Sequence, residues 1–155
     1  MFLNEIYRPE FIKIGLEAED KEEAFEELVD HFCRAARISP REEILEAVRE
    51  RESKMSTGIR QGIAIPHGKT PAVDKLYGIL GVSKTGVEYD ALDGKPVYLL
   101  FLILAPEKDA EKHLKVLKRL AELLDNPQFY TDLVAQNTAQ DAWAIIKKYE
   151  DILII

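Results

Sequence analysis

Val97 to Ala105 is an unbroken apolar run, Val-Tyr-Leu-Leu-Phe-Leu-Ile-Leu-Ala, stopped by Pro106. A helix needs about 20 such residues to cross a bilayer, so the run is too short for that. It does not alternate with polar residues, so as a strand it must be covered on both faces. In a chain that mixes strands with helices, such a strand suggests a layered α/β domain with helices on both faces of its sheet.

The rest of the chain supplies those layers. Phe11 to Leu16 reads as a first strand. Ala24, Phe25, Leu28, Val29, Phe32, Cys33 and Ala36 recur at helical spacing, which predicts a helix from Asp20 to about Ala36. Ser39-Pro40-Arg41-Glu42 reads as a capping box with proline at the first helical position, so a second helix starts there and runs to about Lys54. Ser56 to Gly62 is a polar loop, and Ile63-Ala64-Ile65 is a short strand that Pro66 stops. Leu76 to Val82 is a further strand, and Asp93-Gly94 marks the turn before the apolar run. Asp109 is the expected N-cap of a helix reaching Leu124. Asn126-Pro127 opens another helix, and Thr138 caps a last one from Ala139 to about Tyr149. No repeat or long linker divides the chain, so one domain over residues 1–155 is expected.

A net charge of −7 argues against binding to nucleic acid or an anionic membrane. The start, Met1-Phe2-Leu3-Asn4-Glu5, lacks the basic and apolar stretches of a signal peptide. Cys33 is alone, which precludes an internal disulfide. These features point to the cytoplasm, without membrane insertion. Against the acidic background, Arg49 to Lys69 holds five basic residues (Arg49, Arg51, Lys54, Arg60, Lys69) and two acidic ones. His67 falls in this segment.

The three histidines differ in setting. His31 lies on its helix away from the apolar stripe and reads as a solvated surface residue. His67 follows a strand end between Pro66, which fixes the approach of the chain, and Gly68, which leaves the ring unobstructed. A neutral imidazole is a nucleophile able to form covalent intermediates. Phosphoryl transfer asks the protein mainly for positioning and for charge to meet the equatorial oxygens. Arg51 suits the second task, since a guanidinium grips phosphate through two hydrogen bonds. Composition alone leaves open that His67 is a loop histidine without a role. His113 shares a helical face with Leu117, Leu120 and Leu124 and points into the body of the protein. It reads either as a hydrogen-bonded core histidine or as a second imidazole at a pocket edge, where it could meet His67 or a phosphoryl oxygen.

Other chemistries find less support. Gly62 to Thr70 imitates a Walker A loop but has five residues between its glycines instead of four. The histidines share no metal-ligand spacing, so no metal site is expected. Cys33, on an apolar stripe, reads as a small buried hydrophobe.

The segment from Arg51 to Lys69, with Arg51-Glu52, Ser56-Thr57-Gly58-Ile59 and Gly62-Ile63-Ala64-Ile65-Pro66-His67-Gly68, resembles the type-2 enzyme IIA domains of the bacterial phosphoenolpyruvate-dependent sugar phosphotransferase system. These are the fructose/mannitol class and its nitrogen-regulatory relatives. The likeness continues through Tyr89-Asp90-Ala91-Leu92-Asp93-Gly94-Lys95-Pro96-Val97 and His113-Leu114 to Leu117.

The resemblance implies a three-layer α/β/α sandwich with a mixed β-sheet flanked by helices on both faces. It implies that His67 accepts a phosphoryl group on Nε2 from a phosphorylated HPr-type carrier. His113 corresponds to the second active-site histidine and Arg51 to the arginine that steadies the phosphoryl group. No metal or cofactor is implied. The onward acceptor would be an enzyme IIB cysteine, or, in the regulatory branch, target proteins would be bound according to phosphorylation state. In one departure, Arg60 stands where most relatives carry glycine.

Overall fold

The computed structural model describes residues 2–58 and 61–154, so Arg60 lies outside the described residues. In chain order the elements are α1 (Leu3–Ile6), β1 (Ile12–Ile14), α2 (Lys21–Ala36), α3 (Arg41–Lys54), β2 (Ile63–Ala64), β3 (His67–Lys69), β4 (Tyr77–Val87) and β5 (Val97–Ala105). Then follow α4 (Ala110–Leu124), α5 (Pro127–Val134) and α6 (Ala139–Ile154). Single 3-10 turns at Pro9–Phe11 and Glu107–Asp109 lead into β1 and α4.

The apolar run is the interior strand β5. Its neighbours are antiparallel β4 on one side and parallel β2 and β3, end to end, on the other; β1 adds parallel to β4. The sheet is mixed. Strand alternation sends Leu99, Phe101 and Ile103 into one apolar cluster, with residues of α1, α4, α5 and α6. Leu100, Leu102 and Leu104 enter a second cluster with residues of α2 and α3. Each face of β5 therefore has its own layer of helices, as the unbroken apolar run requires.

Several local expectations are corrected. Pro40 sits at the N-cap of α3 and not at its first turn, and no side chain caps that end. The box is one residue out of register: Arg41 N–H bonds the Ser39 carbonyl instead. Asp109 does not cap α4 with its side chain, because its backbone (φ −103°, ψ 34°) is not the extended one that aims a carboxylate at the first amides. Asn126 and Thr138 do cap α5 and α6, accepting from Gln128 N–H (3.0 Å) and Asp141 N–H (3.1 Å). The strand β4 extends five residues further than the apolar pattern indicates, with a register irregularity after Val82. His31 is half-buried against the Glu10 carbonyl (Nε2 to O 3.0 Å), not merely solvated. Cys33 packs at the edge of its cluster and is only half-buried. Among the described residues, no helix is long and apolar enough to cross a membrane.

Candidate functional site

The stretch from Ile63 to Lys69 is one edge strand broken at Ile65-Pro66. β2 pairs with Leu99 and Leu100, and β3 resumes alongside Ile103, Leu104 and Ala105. The break keeps its bonds satisfied. Ile65 N–H reaches the Thr57 carbonyl (3.1 Å) and Ile103 N–H reaches the Pro66 carbonyl (3.0 Å). Proline, which has no N–H to lose, fits this joint. His67 is the first residue after it, so its backbone is held by the central strand while its ring faces outward, half-buried.

Gly68 lets this strand lie flat on α3. A Cβ there would come within 3.1 Å of the Ala47 and Val48 backbone. Strand alternation then turns His67 and Lys69 to the other side. That side opens into a groove of about 550 Å³ between the C-terminal end of α3 and the first turns of α4. His67, Arg51, Lys54, Lys69, His113 and Leu114 are among its walls. All three sequence-predicted site residues meet there.

The geometry sets the state of His67. Its Nδ1 lies 3.0 Å from the Ile65 carbonyl oxygen, which can only accept. The proton is therefore on Nδ1, and Nε2 carries the free lone pair. Burial pushes the ring below the usual histidine range, as does the charge of Arg51, against an upward pull from the Ile65 bond. The neutral, nucleophilic form is thereby favoured.

His113 is 5% exposed and stands edge-on to His67, with ring centroids 5.2 Å apart and planes at 83°. Burial, and then the neighbouring His67 and Lys69, lower it to about 4. The expectation of a hydrogen-bonded core histidine is only half met, because its Nε2 is buried without a partner. An orphaned polar nitrogen costs stability unless something arrives to bond it. Arg51 gives one N–H to the Met55 carbonyl (3.2 Å) at the end of α3, which leaves the rest of its donor fork for an anion. The groove thus brings the His67 ring together with Arg51, Lys54 and Lys69 around space for one small anionic group. Among the described residues no cluster of His, Cys, Asp and Glu is arranged to hold a metal ion.

Beside the groove is a buried network without counterpart in the sequence reading. Glu52 accepts from Thr57 N–H (2.8 Å), Thr57 Oγ1 (2.7 Å) and Tyr89 OH (3.2 Å), and pairs with Lys21 (3.1 Å). It ties the last turns of α3, where Arg51 sits, to the loop that follows, to α2 and to the segment beyond β4. The Arg-Glu pair was visible in the sequence, but nothing local told which carboxylate would be buried.

The family model for "Phosphoenolpyruvate-dependent sugar phosphotransferase system, EIIA 2" matches residues 5–149. The chain belongs to this family. As an EIIA chain it is a phosphotransferase component, and its relatives fall in both the sugar and the nitrogen branch. It is 36% identical over 97% of its length to the PTS system fructose-specific EIIABC component of Bacillus subtilis (strain 168), of which it spans 24%. The crystal structure of nitrogen regulatory protein IIA-Ntr from Neisseria meningitidis superposes with a TM-score of 0.85 at 33% identity, covering 93% of this chain and 98% of that one. The fold is also that of enzyme IIAMTL in its complex with phosphorylated enzyme IIBMTL from Escherichia coli (TM-score 0.74, 22% identity, 90% of this chain and 95% of that one).

Proposed function

We propose that this EIIA chain carries a phosphoryl group on Nε2 of His67, taking it from a phosphorylated HPr-type donor and passing it to an enzyme IIB cysteine. The observation that supports the reading is the Nδ1 bond to the Ile65 carbonyl, which leaves the lone pair on Nε2 of a ring that walls the groove. The His67 lone pair forms the new N–P bond. The donor's P–N bond breaks and its electron pair returns to the donor ring. The Nδ1 proton stays on His67, held by Ile65. Arg51 meets the equatorial oxygens, and His113 offers its unpaired nitrogen to one of them. Residues 1–155 act as one domain in this reading, in the cytoplasm.

Incubation with phosphoenolpyruvate, enzyme I and an HPr-type carrier tests it. Acid-labile phosphate should appear on the wild type and be lost in His67→Ala. Uptake that survives the substitution overturns the assignment.

A second reading is supported by the likeness to IIA-Ntr over nearly that protein's whole length. There, phosphorylation of His67 is a signal and the chain binds regulatory targets in one phosphorylation state. Delivery of the phosphoryl group to an isolated IIB cysteine separates the two, since a purely regulatory chain would not perform it.

A further inference from the structure

We infer that Lys69 is a second cation for the travelling phosphoryl group, matching Arg51, and that the site is built around a pair of positive charges rather than one. The inference rests on His67 being the phosphoryl acceptor.

Three observations carry it. First, β3 places Lys69 two residues beyond His67, and the pleat puts both side chains on the same side of the strand. The intervening Gly68 faces α3, where a Cβ would press on the Ala47 and Val48 backbone at 3.1 Å. The strand therefore cannot roll to turn Lys69 away without losing that packing. Second, Lys69 is exposed and walls the same groove as His67, Arg51 and His113. Among the described residues it forms no ion pair, whereas Lys13, Lys21, Arg41 and Arg49 are each bound to a carboxylate. Third, its charge reaches both rings, lowering His67 and His113 alike.

The charge count fits the cargo. A phosphoryl group on nitrogen presents up to two negative charges over three oxygens, and one guanidinium leaves the group anionic. A lysine ammonium is a compact point charge on a flexible stem, able to follow the group as the donor bond breaks and the His67 bond forms. Glu50 and Glu107 also wall the groove, and their charge is opposed there by Arg51, Lys54 and Lys69; of the two lysines, Lys69 is the one set two residues from His67 on the same strand.

The test compares wild type, Lys69→Gln and Lys69→Arg. Single-turnover uptake from the phosphorylated HPr-type donor should fall about tenfold in Lys69→Gln, the size expected for one charge-assisted contact, and be largely restored in Lys69→Arg. The equilibrium share of phosphate held by the variant against the same donor should fall with it. Ring titrations followed by NMR give a readout that needs no donor. With the cation gone, His67 and His113 should both titrate at higher pH than in the wild type. Unchanged uptake in Lys69→Gln overturns the inference even if the rings shift. A loss that Lys69→Arg does not restore also overturns it, because that pattern marks a packing role. Wild-type protein that takes no phosphate on His67 fails the underlying reading instead, and takes this inference with it.

Discussion

A histidine nitrogen buried without a partner is an unusual thing for a fold to keep, and at His113 it has a measurable consequence. The folded ring is lowered to about 4 from an ordinary 6.5. Between those values the unfolded chain binds the proton more readily. The contribution of this residue to stability is therefore full above about pH 6.5 and is lost as the pH falls toward 4, by on the order of 3 kcal/mol. Thermal melts from pH 7 to 4 should show a steeper decline in the wild type than in His113→Gln, which has no proton to gain. His113→Gln should also slow phosphoryl uptake while leaving His67 modifiable. Of the candidate site residues, His67, His113 and Arg51 were singled out from the sequence through the family resemblance of their segments, since local pattern alone left both histidines open. Lys69 could be counted as a charge but not placed, since His67-Gly68-Lys69 lacks the β-branched residues that announce a strand.

Among the elements, the contact between β3 and α3 positions the chemistry. The space at Gly68 is filled by helix backbone, which cannot swing aside as a flexible side chain would. Gly68→Ala should cost about 1–3 kcal/mol in denaturant melts. It should lower uptake by about ten to a hundredfold by shifting His67 relative to Arg51, with the nucleophile itself intact. Glu52 acts one layer deeper. Removing its carboxylate in Glu52→Ala strands Lys21, Thr57 and Tyr89, and should destabilise the fold by about 3 kcal/mol. The long elements were legible from sequence, α2 and α4 by their period and β5 by its unbroken apolar run. Two short ones were not: α1 spans four residues and β3 three, and both exist because distant parts of the chain hold them.

At the level of the whole molecule, the two ends of the chain secure each other. Glu150 on α6 is fully buried and accepts from the backbone N–H groups of Leu3 and Asn4 and from the Asn4 side chain. It caps α1 from the far end of the sequence, where α1 has no side-chain cap of its own. Trp143 Nε1–H adds a bond to the Asn4 carbonyl (2.8 Å). Glu150→Ala should cost about 2 kcal/mol and raise amide exchange in residues 3–7, while phosphoryl uptake stays near wild type. The first twenty residues carried little signal because their anchor lies more than a hundred positions away. By contrast, β5 alone told that the sheet is covered on both faces, and the alternation of strands with helices told what covers it.

The joint at Pro66 leaves His67 with one unbonded ring nitrogen beside the groove it shares with Arg51. Under the proposed function, whoever loads the ring and whoever empties it must stand in the same doorway, so they come in turn and never together. Throughput is then bounded by how fast each visitor departs, and an excess of either one should choke the relay it serves.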